Sequence, residues 1–315
     1  MKFLIDVDAL EADGTLDAAL AQKLRASALR DTGSTAINIL LALGAVAVAA
    51  GLGALAFSPA LVVGLGAGFI AAGAAVRRFA AGQWALLGKI WVVVGALVLT
   101  GGQAALLDRP MAASLIGALI LGGVGVAVRS HLLVALSPFA LEAALGGSTG
   151  YWSACYEICV REPTLTIVLF TALGAGAWLA ARRLADPLQG LALTFARVCV
   201  ILVNFGFWIG SLWGDTPGHS WSATGQEWPD TRTFPPLAFV VAWFAALALA
   251  GLWGARNGRR FLVNVCAVFA AIHFYTQWFE RFGPDPIAVI AAGVATIAIG
   301  LGFWRFNQAM AAAPA

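Results

Sequence analysis

Residues 59–76 read PALVVGLGAGFIAAGAAV, Arg77-Arg78 follow, and residues 84–106 read WALLGKIWVVVGALVLTGGQAAL. Each run is long enough to cross about 30 Å of hydrocarbon at about 1.5 Å per residue. Lys89 is the one charged residue inside them. In lipid every backbone N–H and C=O must be bonded within the protein, which leaves helices and closed barrels. These runs lack the alternation of a barrel strand, so they read as two membrane helices joined by a basic turn. The rest of the chain repeats the pattern. Of 315 residues 61% are apolar and 11% charged, where a soluble domain carries about a quarter charged. The fold class is therefore an all-α membrane protein.

Hydrophobic runs lie at roughly 35–57, 59–76, 84–106, 111–128, 131–148, 164–181, 188–212, 236–255, 261–280 and 285–304, which predicts ten transmembrane helices. The fifth is interrupted by Pro138 and Glu142. Residues 1–33 are polar, with Leu16, Leu20 and Leu24 at helical spacing, Asp17 early and Lys23, Arg25 and Arg30 late. That pattern predicts an amphipathic cytoplasmic helix lying on the bilayer or the bundle, or docking a partner protein. Residues 34–305 form the bundle, with one long outer loop at 213–235, and residues 306–315 a short cytoplasmic tail. No cleavable signal peptide is visible, so the first hydrophobic run directs insertion.

Charge sets the orientation. With the N-terminus inside, the cytoplasmic segments hold 13 basic residues: Lys2, Lys23, Arg25, Arg30, Arg77, Arg78, Arg129, Arg182, Arg183, Arg256, Arg259, Arg260 and Arg305. The outer segments hold 4, namely Arg109, Arg161, Arg232 and Arg281. Lys and Arg favour cytoplasmic loops, so ten spans with both termini in the cytoplasm satisfy the bias at every inner loop. The net charge of +3 needs no acidic partner to explain it. Gly64 and Gly68 form a GxxxG in the second span, while Gly44 with Gly51 and Gly293 with Gly300 recur at seven, all signs of close helix packing.

Chemistry in such a chain is sought where charge enters the apolar runs. Glu142, Lys89 and Arg197 do so. Each costs on the order of 2.5–3.5 kcal/mol at mid-bilayer unless paired or hydrated. Glu142 and Arg197 lie at matched depth, so they are expected to meet near the midplane, with Asn204 seven residues after Arg197 on the same face. Such a group is either a buried pair that orients helices or a substrate or proton site. Lys89 is shallower and can snorkel. A second polar cluster is expected at the outer end of the ninth span, where His273, Gln277 and Glu280 fall at i, i+4 and i+7. It reads as an interhelical contact or a proton relay.

The outer stretch 151–159, rich in aromatic residues, reads as an interfacial segment. Four cysteines make no disulfide framework, and a Cys155–Cys159 bridge on a regular helix would be poorly aligned. No metal-ligand spacing, nucleotide-binding loop, catalytic serine motif or nucleic-acid signature is present. No cofactor, metal, catalytic residue or nucleic-acid partner is expected; the partners expected are membrane lipids and a protein reached through the N-terminal helix or outer loops.

Several stretches carry a resemblance: Gly101-Gly102-Gln103 closing one span, the Asp108 break, 115–121, and Arg129-Ser130-His131-Leu132-Leu133. The opening 10–17, and the close at Phe279-Glu280-Arg281-Phe282-Gly283 and Phe303-Trp304-Arg305, belong with them. Together they are similar to a bacterial family of multi-pass membrane proteins of unknown function. The tryptophan-bearing motif at the end of that family's first hairpin is missing near 57–60. The resemblance implies a bacterial cytoplasmic membrane and carries over no catalytic residue.

Two functions compete. One is a non-enzymatic scaffold, sensor or accessory subunit. The other is a small-solute or ion-coupled transporter with a midplane polar site, because ten spans allow two inverted halves of five. The intramembrane charges do not correspond between such halves: Arg197 has no counterpart in the second span, Lys89 none in the eighth and Glu142 none in the tenth. The balance favours the first.

Overall fold

The computed structural model describes residues 10–11, 15–17, 19–22, 37–48, 50–51, 58–80, 84–152, 155–218 and 232–312. Most of the expected N-terminal helix lies outside these residues; positions 10–11 and 19–22 are helical. The described residues then form α1 (Ile37–Val48), α2 (Pro59–Phe79), α3 (Ala85–Leu106), α4 (Pro110–Ala127) and α5 (His131–Ala144). A hairpin of β1 (Ser148–Trp152) and β2 (Cys155–Cys159) follows. The chain continues through α6 (Pro163–Ala181), α7 (Leu188–Trp213), α8 (Pro236–Arg256), α9 (Arg260–Phe282) and α10 (Pro286–Ala312). Five of these helices begin on proline, whose missing N–H and fixed φ suit a first helical position. Asp285 caps α10, its Oδ1 accepting from the N–H groups of Ile287 (2.9 Å) and Ala288 (3.1 Å).

Among the described residues seven helices, α2–α4 and α6–α9, are long and apolar enough to cross a membrane. Large apolar side chains such as Leu119, Phe244 and Leu249 stand exposed on them, which suits lipid and not water. The chain is an all-α membrane protein with one small hairpin.

The fifth apolar run is helical over only part of its length. The helix has 14 residues where an 18-residue run at 131–148 was expected, and it stops at Ala144. At about 1.5 Å per residue it covers roughly 21 Å, short of the hydrocarbon thickness. Gly146 at φ +91° turns the backbone, and Ser148 already pairs with Cys159 in the hairpin. The aromatic outer segment is therefore strand, with Tyr151 opposite Tyr156. Cys155 and Cys159 lie four rises of about 3.4 Å apart along β2.

The chain divides into two compact units. The first holds residues 1–144 and 175–198, the second 145–174 and 199–315, so α6 and α7 contribute to both. In the first, Val92, Ala96, Leu121 and Leu133 form the core, with Ile70 and Val124 packed on it. The α2–α3 seam runs on glycine. Cβ atoms added at Gly66 and Gly73 would fall 2.5 Å from Leu99 N and 2.7 Å from Gly88 O, and one at Gly95 2.7 Å from Gly66 O. The expected GxxxG pair is not in this seam: Gly64 and Gly68 have nothing within 4 Å of an added Cβ. Gly66 stands two residues, about 200°, around the helix from them, and the seam recurs at sevens. In the second unit Trp243, Leu247, Cys266 and Phe269 form the core, against Ile201, Phe205 and Ile272.

Candidate functional site

The candidate site is a polar strip in the second unit. The latter half of α7 presents Asn204, Trp208 and Ser211 at i, i+4 and i+7, one face of a helix. α9 presents His273, Thr276 and Gln277. The strip is built from neutral hydrogen bonds. Trp208 Nε1 donates to Thr276 Oγ1 at 3.0 Å, and Gln277 Nε2 to Ser211 Oγ at 3.4 Å. Ser211 Oγ donates to the Trp208 carbonyl at 2.7 Å.

Asn204 is buried and uses both ends of its amide. Its Nδ2 donates to the Val200 carbonyl at 2.8 Å, and its Oδ1 accepts from Trp243 Nε1 at 2.9 Å. Trp243, from α8, is wholly buried. The His273 ring stands edge-on to it, centroids 4.9 Å apart at 82°, with Phe244 at 6.2 Å. His273 Nδ1 is buried and has no hydrogen-bond partner among the described residues. The strip thus holds helices together through neutral groups, and His273 is its one member with a titratable side chain.

Of the expected cluster, His273 and Gln277 enter this strip while Glu280 is exposed at the end of α9. Asn204 joins it too, bonded to Trp243. The three charges that enter the apolar runs lie on three different helices. Glu142 is buried in the last turn of α5, since that helix ends two residues later. Arg197, the tenth residue of the 26-residue α7, is exposed, and so is Lys89, the fifth residue of α3. In the first unit polar side chains also tie helices together. Gln103 Nε2 donates to the Ala113 carbonyl at 2.7 Å, Ser137 Oγ to the Ala118 carbonyl at 2.9 Å, and His131 Nδ1 lies 2.8 Å from Thr194 Oγ1.

A pair of buried acids escaped the sequence reading. Asp215, just past α7, accepts the Thr164 N–H at 2.7 Å, so it caps α6 from 51 residues away. Glu162, the residue before α6, accepts the Gly218 N–H at 2.7 Å. Burial pushes the Asp215 carboxyl above the ordinary carboxylate range, the bonds from Thr164 oppose this, and the nearby Glu162 charge adds to it. A signal was present in Glu162-Pro163, an acid before an N1 proline; nothing local pointed to Asp215. Asp215 also pairs with Phe234 through two backbone bonds of 2.9 Å, closing the base of the 213–235 loop.

Among the described residues no group of three or more His, Cys, Asp and Glu could hold a metal ion. Compared with sequence models of known families, with characterised proteins and with solved structures, the chain matches none.

Proposed function

We propose that this chain is a ten-crossing protein of a bacterial cytoplasmic membrane, both termini inside, working as a non-enzymatic scaffold or accessory subunit. The observation that carries the reading is Asn204. It is the most buried amide in the strip, and both its donor and its acceptor are engaged in holding α7 to itself and to α8. A site that moves a solute needs polar groups that exchange partners, whereas this strip is closed by neutral bonds. The partners are lipids and a second protein, reached through the N-terminal segment or the outer loops. One observation favours the transporter reading instead: the buried, unpartnered His273 Nδ1 between Trp243 and Phe244.

Two measurements test the proposal together. Purified protein in liposomes carrying a pH gradient should leave the gradient's decay unchanged from protein-free liposomes. Extracted in mild detergent from its own host, the protein should migrate as a larger assembly than the same chain made in a foreign membrane. Proton flux that His273→Phe abolishes would overturn the scaffold in favour of the carrier.

A further inference from the structure

From residue 58 to residue 107 the chain has three charged side chains, Arg77, Arg78 and Lys89, and no Asp or Glu. The α2–α3 packing brings all three to one end of the pair. The Arg77 stem lies across α3, because a Cβ added at Gly88 would meet Arg77 Cγ at 2.7 Å, and Lys89 is the next residue along. Arg78 turns its guanidinium over the Phe79 ring at 5.8 Å, and all three residues are exposed. Lys89 stands five residues inside α3, about 7 Å below Trp84 at its start. Its flexible stem can lift the ammonium toward the two guanidinium groups.

Three like charges at one end of a membrane hairpin with no acidic residue among them attract an anion. At that depth, beside an interfacial tryptophan, the anion at hand is a lipid phosphate. We propose that the Arg77–Arg78–Lys89 end of the α2–α3 pair binds the head group of an anionic phospholipid. Arginine forks match phosphate oxygens bidentately, and lysine adds a point charge from the hydrocarbon side. Basic clusters at a cytoplasmic surface attract anionic lipid in general, so the claim is that this cluster does so in excess of the others.

Native mass spectrometry of the full chain, exchanged into micelles with phosphatidylglycerol or phosphatidylcholine, tests it. Wild-type protein should retain phosphatidylglycerol preferentially, and each cation removed should lower that preference about fivefold. Lys89→Gln should lower it about fivefold while Lys89→Arg keeps most of it. The comparison variant Arg256→Gln/Arg259→Gln/Arg260→Gln removes three charges from the α8–α9 turn and should still leave the preference intact. An equal loss in that variant, or an unchanged preference in Lys89→Gln, would overturn the proposal. Retention of inorganic phosphate in place of lipid would overturn the lipid assignment.

Discussion

Replacing Asn204 by leucine isolates the bond on which the polar strip turns. Trp243 is wholly buried and its Nε1 reaches Asn204 Oδ1 at 2.9 Å, with Asn204 itself 7% exposed. Leucine keeps the branching and heavy-atom count of asparagine, so the site stays filled, but the indole N–H is left without an acceptor in an apolar core. A buried unmade donor costs about 1–3 kcal/mol, while interhelical hydrogen bonds in a membrane average about 0.6 kcal/mol by double-mutant cycle. The lower figure counts the pair, the higher one the orphan, so Asn204→Leu should cost about 1–2 kcal/mol. Trp243→Phe removes the donor and also part of the core packed on Phe269, and should cost more, about 2–3 kcal/mol. If the bond is what couples the two sites, the double variant should cost less than the sum by about 1 kcal/mol. Equilibrium unfolding of the four proteins in one detergent gives the cycle. Additivity within about 0.3 kcal/mol, or a leucine variant as stable as wild type, would refute the reasoning.

Gly95→Ala should cost about 1–3 kcal/mol, because its Cβ meets backbone atoms of Gly66 and Ile70 at 2.7 Å; Gly68→Ala, with open space around it, should leave the unfolding temperature unchanged. Asp215 takes up its proton at a higher pH folded than unfolded, so its contribution is full at low pH and declines as pH rises through the raised value. Asp215→Asn keeps an acceptor for the Thr164 N–H and removes that decline, so thermal melts from about pH 4 to about pH 8 should be flatter than wild type and higher at neutral pH. For the expected Glu142–Arg197 pair, Glu142 is buried and Arg197 stands ten residues into a helix long and apolar enough to cross the membrane. If the two are paired, Glu142→Gln alone should cost about 3–5 kcal/mol and the double change with Arg197→Met should recover much of it in the same unfolding assay.

Helix positions were legible because proline and paired arginines punctuate apolar runs of spanning length. Ser58-Pro59, Asp108-Arg109-Pro110, Pro235-Pro236 and Gly283-Pro284, which lie between the expected runs, all fall at helix ends. The fifth run misled because Leu145 extends its apolar character past Ala144, while Gly146 and the hairpin pairing decide where the helix stops. Glycine spacing was also ambiguous. Gly64 and Gly68 have the familiar interval, but the seam follows Gly66 and Gly73, and which face meets a neighbour is a tertiary fact. At the site, His273 and Gln277 were found from i, i+4 spacing. Asn204 was grouped with Arg197 by a sevenfold interval, yet its partner is Trp243 on another helix, a contact 39 residues away that no local pattern encodes.

The number and direction of crossings underlie everything else, and side-specific labelling measures them. With Cys155, Cys159, Cys199 and Cys266 replaced by alanine, single cysteines would be introduced by Ser27→Cys, Thr149→Cys, Ser222→Cys and Asn257→Cys. A membrane-impermeant maleimide applied to intact cells should label the Thr149→Cys and Ser222→Cys proteins. It should reach the Ser27→Cys and Asn257→Cys proteins only after permeabilisation. If α5 fails to cross, positions 27 and 222 fall on the same side of the membrane, and their labelling together would contradict the ten-crossing account.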